Sequence, residues 1–406
     1  MTGVRQSILF RIEDSFAEDP YPKSVGDSGN IVDDANKDWI VAPPGTFFQN
    51  THTRNTSKIY GTGSKFYELA SYGAVNGTWE WTFPLTYEYL EPLLLVFEQY
   101  HTPSESGSNF HEFRKSNASR VKSFAIRRKI LNRMAGGPDG SDELDYVMGC
   151  VVKSIRISRS AGTSQATVTL SGNYSKDRIV QGNLESTDYI TPRNDEVNLV
   201  EFGCLLYDNM PTRAQTQQDD FVKPETIPYV DSLTVALDNG LGMIPVTCSP
   251  FSAGYYEGKS SFSFGMTTYA NDPNRVKKRT YSGGHMPTTG LPGAAMTRGM
   301  KPLSVATVFS FDSNADVITE GSAGSNLEVV GAPKDPIYRF IDSTNSAMFT
   351  IEDTIVKSIA WSKGDGGRLM DQMSSAECKN IIFRFKTGII DYTKSHRPFA
   401  QGEESE

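Results

Sequence analysis

The stretch from Gly77 to Thr86, GTWEWTFPLT, decides the fold of this chain. Side chains alternate between the two faces of a β-strand. One face of this stretch would carry its aromatic residues, Trp79, Trp81 and Phe83. The opposite face would carry its polar residues, Thr78, Glu80 and Thr82. The pattern predicts a strand with one buried side and one side open to water.

A related stretch begins at Gly258 and reads GKSSFSFGMT. Aligning the two at an offset of 181 residues (258 − 77) matches Trp81 with Phe262. A second match follows in the same order, because VVKSIRIS at Val151 returns as IVKSIAWS at Ile355, an offset of 204 (355 − 151). Amphipathic strands share residue types by chance, but two matches in one order favour a duplicated β domain.

The two offsets differ by 23 residues (204 − 181), so the second copy is expected to contain extra chain. We place this insertion in the Gly- and Pro-rich stretch from Ser282 to Met300. Such a composition is typical of loops.

Length and composition agree with a duplicated β protein. The chain has 406 residues, 35 of them glycine and 21 proline, and domains average roughly 150 residues. We predict a mainly β protein with two tandem β-sandwich or barrel domains, each with a short helix, plus long loops. The predicted divisions are a first domain with an N-terminal arm at 1–180, a connector and long loop at 181–230, a second domain at 231–392 and a mobile tail at 393–406.

Three local patterns can be assigned to elements. The segment Gln6 to Ile12 predicts the first strand, and Asp238-Asn239-Gly240 predicts a turn. After Pro84 the spacing becomes helical, with Thr86 as a possible N-cap; the apolar positions are Leu90, Leu93, Leu94 and Phe97.

Charge and cysteine content exclude several classes of protein. The net charge is −8, so a general attraction to nucleic acid is not expected. The four cysteines show no CxxC spacing, which indicates buried thiols rather than a zinc site or a disulfide framework; they are Cys150, Cys204, Cys248 and Cys378.

No membrane or targeting segment is expected. Arg5 and Arg11 interrupt the first apolar run, which argues against a signal peptide. The longest purely apolar run, Leu93 to Phe97, is far too short to cross a bilayer. We expect a protein that is made and kept in a cytoplasm, or that is released only inside an assembled particle.

Basic residues crowd the segment between His101 and Asp145, and five of them are candidates for contacts between subunits: Arg114, Lys115, Arg127, Arg128 and Lys129. Three interpretations stay open. The segment is a solvated strand face, a surface that binds the acidic N-terminal segment of another subunit, or a nucleic-acid groove. Its sparse aromatic residues argue against the groove.

No catalytic, cofactor or metal site is predicted. The five histidines are scattered and form no HExxH pattern. The run Gly61 to Lys65, GTGSK, lacks the spacing of a phosphate-binding loop and indicates a turn.

Three stretches together resemble the major tail tube proteins of long-tailed phages and archaeal viruses. They are the aromatic strand with LEPLLLVFEQY after it, the hairpin MGCVVKSIRIS to SQATVTLSG, and the region from DSLTVALDNGL to YYEGKSSFSFGMTTY. The last is similar to the second half of family members that carry two tube domains in one chain.

The resemblance implies a structural virion protein without enzymatic activity. Rings of three chains with pseudo-sixfold symmetry would stack into the tail tube, with the tape measure protein and viral double-stranded DNA in the lumen. Tail terminator and baseplate proteins would bind its ends. It also suggests lumen-side positions, although these residues could equally face solvent or a neighbouring subunit: Thr78, Glu80, Thr82, Ser261 and Ser263.

Two other interpretations remain. One is a two-domain β-sandwich carbohydrate-binding protein or hydrolase, in which Trp79 and Trp81 would stack on sugars. The other is a different virion part, such as a baseplate or tail-completion protein.

Overall fold

The structure is a computed structural model that describes part of the chain. The described residues are 6–18, 39–43, 45–60, 62, 67–85, 91–97, 99–101, 110–115, 121–130, 142–160, 166–182, 202–208, 225–226, 230–247, 249–269, 303–310, 346–363, 369–378 and 380–386. Every statement below refers to these residues.

The described chain is mainly β, as predicted. Its only helix in these ranges is α1 (Glu91–Leu94). Its strands are β1 (Gln6–Ile12), β2 (Ile40–Val41), β3 (Phe47–Tyr60), β4 (Tyr67–Pro84), β5 (Gln99–His101), β6 (Phe110–Arg114), β7 (Phe124–Ile130), β8 (Asp142–Ser160), β9 (Thr167–Tyr174), β10 (Lys176–Gly182), β11 (Phe202–Asp208), β12 (Glu225–Thr226), β13 (Val230–Asp238), β14 (Gly242–Ile244), β15 (Gly254–Tyr256), β16 (Ser261–Tyr269), β17 (Leu303–Ser310), β18 (Ser346–Lys363), β19 (Leu369–Cys378) and β20 (Asn380–Lys386).

Antiparallel pairing joins eighteen of these strands into three connected sheets. Sheet I has the order β2-β1-β7-β8-β10. Sheet II has the order β3-β4-β9-β8-β13-β16-β19-β18. Sheet III has the order β12-β11-β17-β18-β20-β6-β5. The long strands β8 and β18 each run from one sheet into another, while β14 and β15 pair separately.

The aromatic face of β4 forms the centre of the hydrophobic core, as the sequence predicted. Trp79, Trp81 and Phe83 are each at most 3% exposed. Trp81 packs edge-on against Phe10 of β1, and Trp79 against Phe124 of β7. These contacts hold sheet II against sheet I, because β4 belongs to one sheet and β1 and β7 to the other.

The pairing scheme of the early strands recurs among the late strands. The register of β7 with β8 shifts between Phe124 and Ile126. The register of β17 with β18 shifts between Leu303 and Val305, which is 179 residues later (303 − 124). A second shift interrupts β8 between Val152 and Ser154 and recurs in β18, 204 residues later. Irregularities at matched places in two sets of strands indicate equivalent positions, since a bulge is a specific local feature.

The recurring register corrects the sequence alignment of β4 with β16. Trp79 lies opposite Gly172, and Phe264 lies opposite Ala376, the residue 204 positions after Gly172. Trp79 therefore corresponds to Phe264, an offset of 185 rather than the predicted 181 (264 − 79). The error of four residues is even, so it leaves the same side chains on the same face.

The expected insertion at Ser282–Met300 lies outside the described residues, but the flanking strands locate the extra chain elsewhere. Residues of β17 lie 179 positions after their equivalents in β7, and residues of β18 lie 204 positions after their equivalents in β8. About 25 additional residues (204 − 179) therefore fall between these two strands, within residues 311–345. On this register the extra chain follows β17 instead of preceding it.

Two other local predictions differ from the structure. The predicted helix is a single turn, Glu91–Leu94, and Thr86 lies outside the described residues. No helix appears among the described residues after position 230. The predicted connector contains β11, whose partner β17 lies about a hundred residues later in the chain. A strand with such a distant partner has no local pairing signal.

Candidate assembly surface

One face of sheet II carries all five residues predicted for the lumen. Thr78, Glu80 and Thr82 lie on β4, while Ser261 and Ser263 lie on β16. Each is exposed or half-buried, and the residues between them on both strands are mostly buried. We call this side of the sheet the polar face.

Hydroxyl groups cover the polar face between these two strands. The Thr82 and Thr169 hydroxyl oxygens lie 3.3 Å apart, and those of Ser154 and Ser171 lie 2.6 Å apart. Further hydroxyl residues follow on β8, β9 and β13: Ser158, Ser160, Thr167, Ser232 and Thr234. Alternation in VKSIRIS and TVTLSGN could have identified the β8 and β9 positions from sequence, as it did for β4.

Charges of both signs are spread over the polar face. Glu80 and Glu377 are exposed, and so are Lys153 and Arg156 on β8. Lys153 and Glu80 border a polar depression of about 330 Å³. Among the side chains that the structure describes, the face therefore has no single-sign cationic patch of the kind that holds nucleic acid.

A junction between β8 and β13 makes the sheet continuous between the early and late strands. Leu237 lies opposite Ile155, Val235 opposite Ile157, and Ala236 opposite Arg156. Leu237, Val235 and both isoleucines are buried on the core face. The core face and the polar face of sheet II are therefore both continuous across this junction, although β8 and β13 lie far apart in sequence.

The outer edges of sheet II have no partner strand among the described residues. β3 pairs with β4 alone, and the Ile355–Lys363 part of β18 pairs with β19 alone. In the recurring register, β3 is the equivalent of β13, and β18 is the equivalent of β8. The two open edges of sheet II are therefore the equivalents of the two strands that pair at the junction. An unpaired strand edge is a template for pairing with another chain.

The basic residues predicted for contacts between subunits lie mainly against the rest of the chain. Arg127 is 2% exposed, and its guanidinium group lies 5.6 Å from the Trp39 ring. Arg128 binds the Asp145 carboxylate and donates to the backbone oxygen of Phe48 at 3.3 Å. Both guanidinium groups thus interact with other residues of the same chain.

The other three predicted residues lie on or next to strands of sheets I and III. Arg114 and Lys129 belong to β6 and β7. Lys115 is half-buried and donates to the backbone oxygen of Val96 at 3.4 Å. Burial lowers the pKa of Lys115 to about 8, although Glu257 opposes that shift.

No protein-family model and no curated protein matches this chain. Among the described residues, no helix is long and apolar enough to cross a membrane. The same residues include no cluster of His, Cys, Asp and Glu able to hold a metal ion.

Proposed function

We propose that this chain is a structural virion protein whose rings stack into a viral tail tube. The observation that supports it best is the β8–β13 junction together with the two unpaired edges that correspond to its strands. A pairing already made inside the chain can be repeated between chains, with β18 of one copy against β3 of the next. The contact is head-to-tail, so it generates a ring if its rotation closes.

The recurring register gives the residues that would face each other. Subtracting 185 from a β13 residue gives its β3 equivalent, and adding 204 to a β8 residue gives its β18 equivalent. The in-chain pair Ala236 and Arg156 then becomes Thr51 and Ala360 between chains. Likewise, the pair Leu237 and Ile155 becomes His52 and Ile359.

The ring is proposed to contain three chains. We interpret the two strand sets as duplicated tube domains, so three chains would provide six equivalent modules. The resemblance to tail tube proteins supports this number, since that family builds rings with sixfold or pseudo-sixfold symmetry.

The polar face of sheet II is proposed to line the lumen. A Lys or Arg that binds phosphate adds affinity for DNA. On this face the carboxylates of Glu80 and Glu377 offset the exposed Lys153 and Arg156, and the hydroxyls and small residues add no such affinity. Double-stranded DNA could therefore move past the face during genome ejection. In the assembled tail the lumen would also hold the tape measure protein, and the tube ends would bind terminator and baseplate proteins.

The carbohydrate-binding alternative has no supporting observation. Trp79 and Trp81 would have to present a ring face to a sugar, but both indoles are buried in the core. Their ring N–H groups are also used within the chain, by Asn173 and Thr46 respectively.

Electron microscopy of the purified protein tests the proposal. Negatively stained samples should contain rings with a central hole, or tubes of stacked rings, and light scattering should give a particle mass of three chains or a multiple. A protein that stays monomeric at millimolar concentration would contradict the proposal.

A further inference from the structure

A bulge in β8 binds the residue that follows β13. The register of β8 with β9 shifts between Val152 and Ser154, which makes Lys153 the extra residue of the bulge. Asn239 donates two hydrogen bonds to this bulge. Its backbone N–H binds the Lys153 oxygen at 2.7 Å, and its side-chain amide binds the Val152 oxygen at 3.0 Å.

Asn239 is buried where β13 ends. It is 1% exposed, and it directly follows Asp238, which lies opposite Ser154 at the last pair of the junction. Leaving its buried donors without acceptors would cost free energy. The contact between Asn239 and the bulge therefore fixes the register of β13 against β8.

The same bulge is present in β18. Its register with β19 shifts between Val356 and Ser358, so Lys357 is the extra residue, 204 positions after Lys153. The backbone oxygens of Val356 and Lys357 are the equivalents of the two oxygens that Asn239 binds. β18 therefore repeats this pair of acceptors on the strand that we propose to contact the next copy.

Arg54 on β3 is the equivalent of Asn239, since 239 − 185 gives 54. Arg54 lies six residues after Phe48, and Asn239 lies six residues after Leu233, so both fall on the core side of sheet II. Arg54 is nevertheless exposed, whereas Asn239 is buried. This difference is expected if the strand that covers Arg54 belongs to another copy.

We propose that Arg54 of one copy binds the backbone oxygens of Val356 and Lys357 in the β18 bulge of its neighbour. A guanidinium group carries five N–H donors and no acceptor, so it can bind two backbone oxygens at once. Arg54 would then be the positioning residue of the contact between chains, as Asn239 is at the junction within the chain.

This inference rests on the proposed function and makes it more specific. A shift of two residues along a strand leaves the same side chains on each face, so alternation alone does not select one register. A donor that fits only the bulge does select one. In that register Thr51 of one copy faces Ala360 of the other.

Photo-crosslinking in the full-length protein locates the contact. Benzoylphenylalanine replaces Arg54, and unlabelled chains are assembled with ¹⁵N-labelled chains, at a concentration where rings form, before irradiation. The matched control carries the same amino acid in place of Tyr256, an exposed residue of β15 outside the three sheets. We expect crosslinks of mixed isotope composition from position 54 to residues 355–358, and none to that segment from position 256.

Substitutions measure the contribution of Arg54 to assembly. Arg54→Ala should raise the protein concentration needed for ring assembly about tenfold or more, because it removes hydrogen bonds from a charged donor. Arg54→Asn should recover most of this loss, since an asparagine makes the equivalent bonds within the chain. Lys259→Ala removes an exposed cation elsewhere and should leave the concentration unchanged. The melting temperature of unassembled Arg54→Ala chains should equal that of the wild type.

The outcomes separate this inference from the proposed function. Mixed-isotope crosslinks to residues 355–358, together with the loss of assembly in Arg54→Ala and its recovery in Arg54→Asn, support the inference. Rings that form equally well with Arg54→Ala, or that crosslink elsewhere from position 54, overturn the Arg54 contact and leave ring assembly standing. Chains that form no rings overturn both.

Discussion

The indole of Trp81 meets the Phe10 ring edge-on, with 5.4 Å between the ring centroids. Trp81 is fully buried on β4 of sheet II, and Phe10 lies on β1 of sheet I. The contact places an aromatic pair directly between two sheets whose strands lie about seventy residues apart in sequence.

Trp81→Ala should lower the free energy of unfolding by about 3 to 5 kcal/mol, the range found when a large buried aromatic is truncated. Urea denaturation followed by circular dichroism measures this change. A variant that retains the wild-type free energy of unfolding would show that Trp81 does not stabilise the core.

The backbone of β8 and the Trp79 ring together require a glycine at position 172. A methyl group on Gly172 would lie 1.8 Å from the Val151 carbonyl oxygen and 2.9 Å from the Trp79 ring. Gly172→Ala should therefore destabilise the fold by about 1 to 3 kcal/mol or more, because overpacking forces strands apart. Gly254→Ala is the matched control, since its methyl group would meet Ile244 at an ordinary 3.8 Å. Equal melting temperatures of the two variants would refute this account of the packing around Gly172.

Glu13 is a buried carboxyl group that joins the end of β1 to β8. Its oxygens accept hydrogen bonds from the backbone N–H groups of Gly149 at 2.8 Å and Ala17 at 3.0 Å. Burial raises the pKa of Glu13 from its ordinary value, and the two backbone hydrogen bonds only partly oppose this shift. The folded protein therefore binds this proton more tightly than the unfolded chain does.

The raised pKa sets the sign of a pH effect. The contribution of Glu13 to stability is fully present below its ordinary pKa and is lost as the pH rises through the raised value. Glu13→Gln should remove this part of the pH dependence when urea denaturation is repeated at several pH values. Asp14→Asn is the control at an exposed neighbour. If Glu13→Gln retains the wild-type pH dependence, the carboxyl group is not coupled to folding.

The lumen assignment predicts how the polar face responds to added positive charge. Rings that carry Glu80→Lys and Ser263→Lys should bind short duplex DNA, with an affinity that falls steeply as salt rises, while wild-type rings should not. Tyr256→Lys is a control at an exposed position of β15, outside the polar face. Fluorescence anisotropy of labelled DNA measures the binding, and equal affinity of both lysine variants would argue against the lumen assignment.

Local alternation could be read from the sequence, and the pairing of distant strands could not. The two faces of β4 followed from GTWEWTF alone because period two is a local property. The alignment of β4 with β16 was wrong by four residues, since any even shift preserves alternation. The strand β11 was missed because its partner β17 is remote.

The basic run on β7 shows why candidate contact residues are harder to predict than strands. Arg127 and Arg128 were predicted as candidates for contacts between subunits. In the structure, residues distant in sequence contact both side chains: Trp39 covers one guanidinium group, and Asp145 binds the other. Only the folded chain brings these partners together, so charge density alone did not locate them.

Disulfide trapping of the pair Thr51 and Ala360 tests the central claim most directly. The two residues lie on opposite edges of an eight-stranded sheet, on the order of 30 Å apart within one chain. In the proposed ring they face each other between chains. Both are exposed.

The measurement uses Thr51→Cys with Ala360→Cys in a chain whose other cysteines, apart from buried Cys150, are replaced by serine. The control pair is Gln49→Cys with Ala360→Cys, shifted by two residues and therefore about 7 to 8 Å apart, beyond the reach of a disulfide. We predict that oxidation links the first pair into trimers of about 134 kDa (3 × 44.8) on a non-reducing gel, and leaves the control unlinked. Monomers from the first pair, or equal linking of both pairs, would contradict the proposed ring.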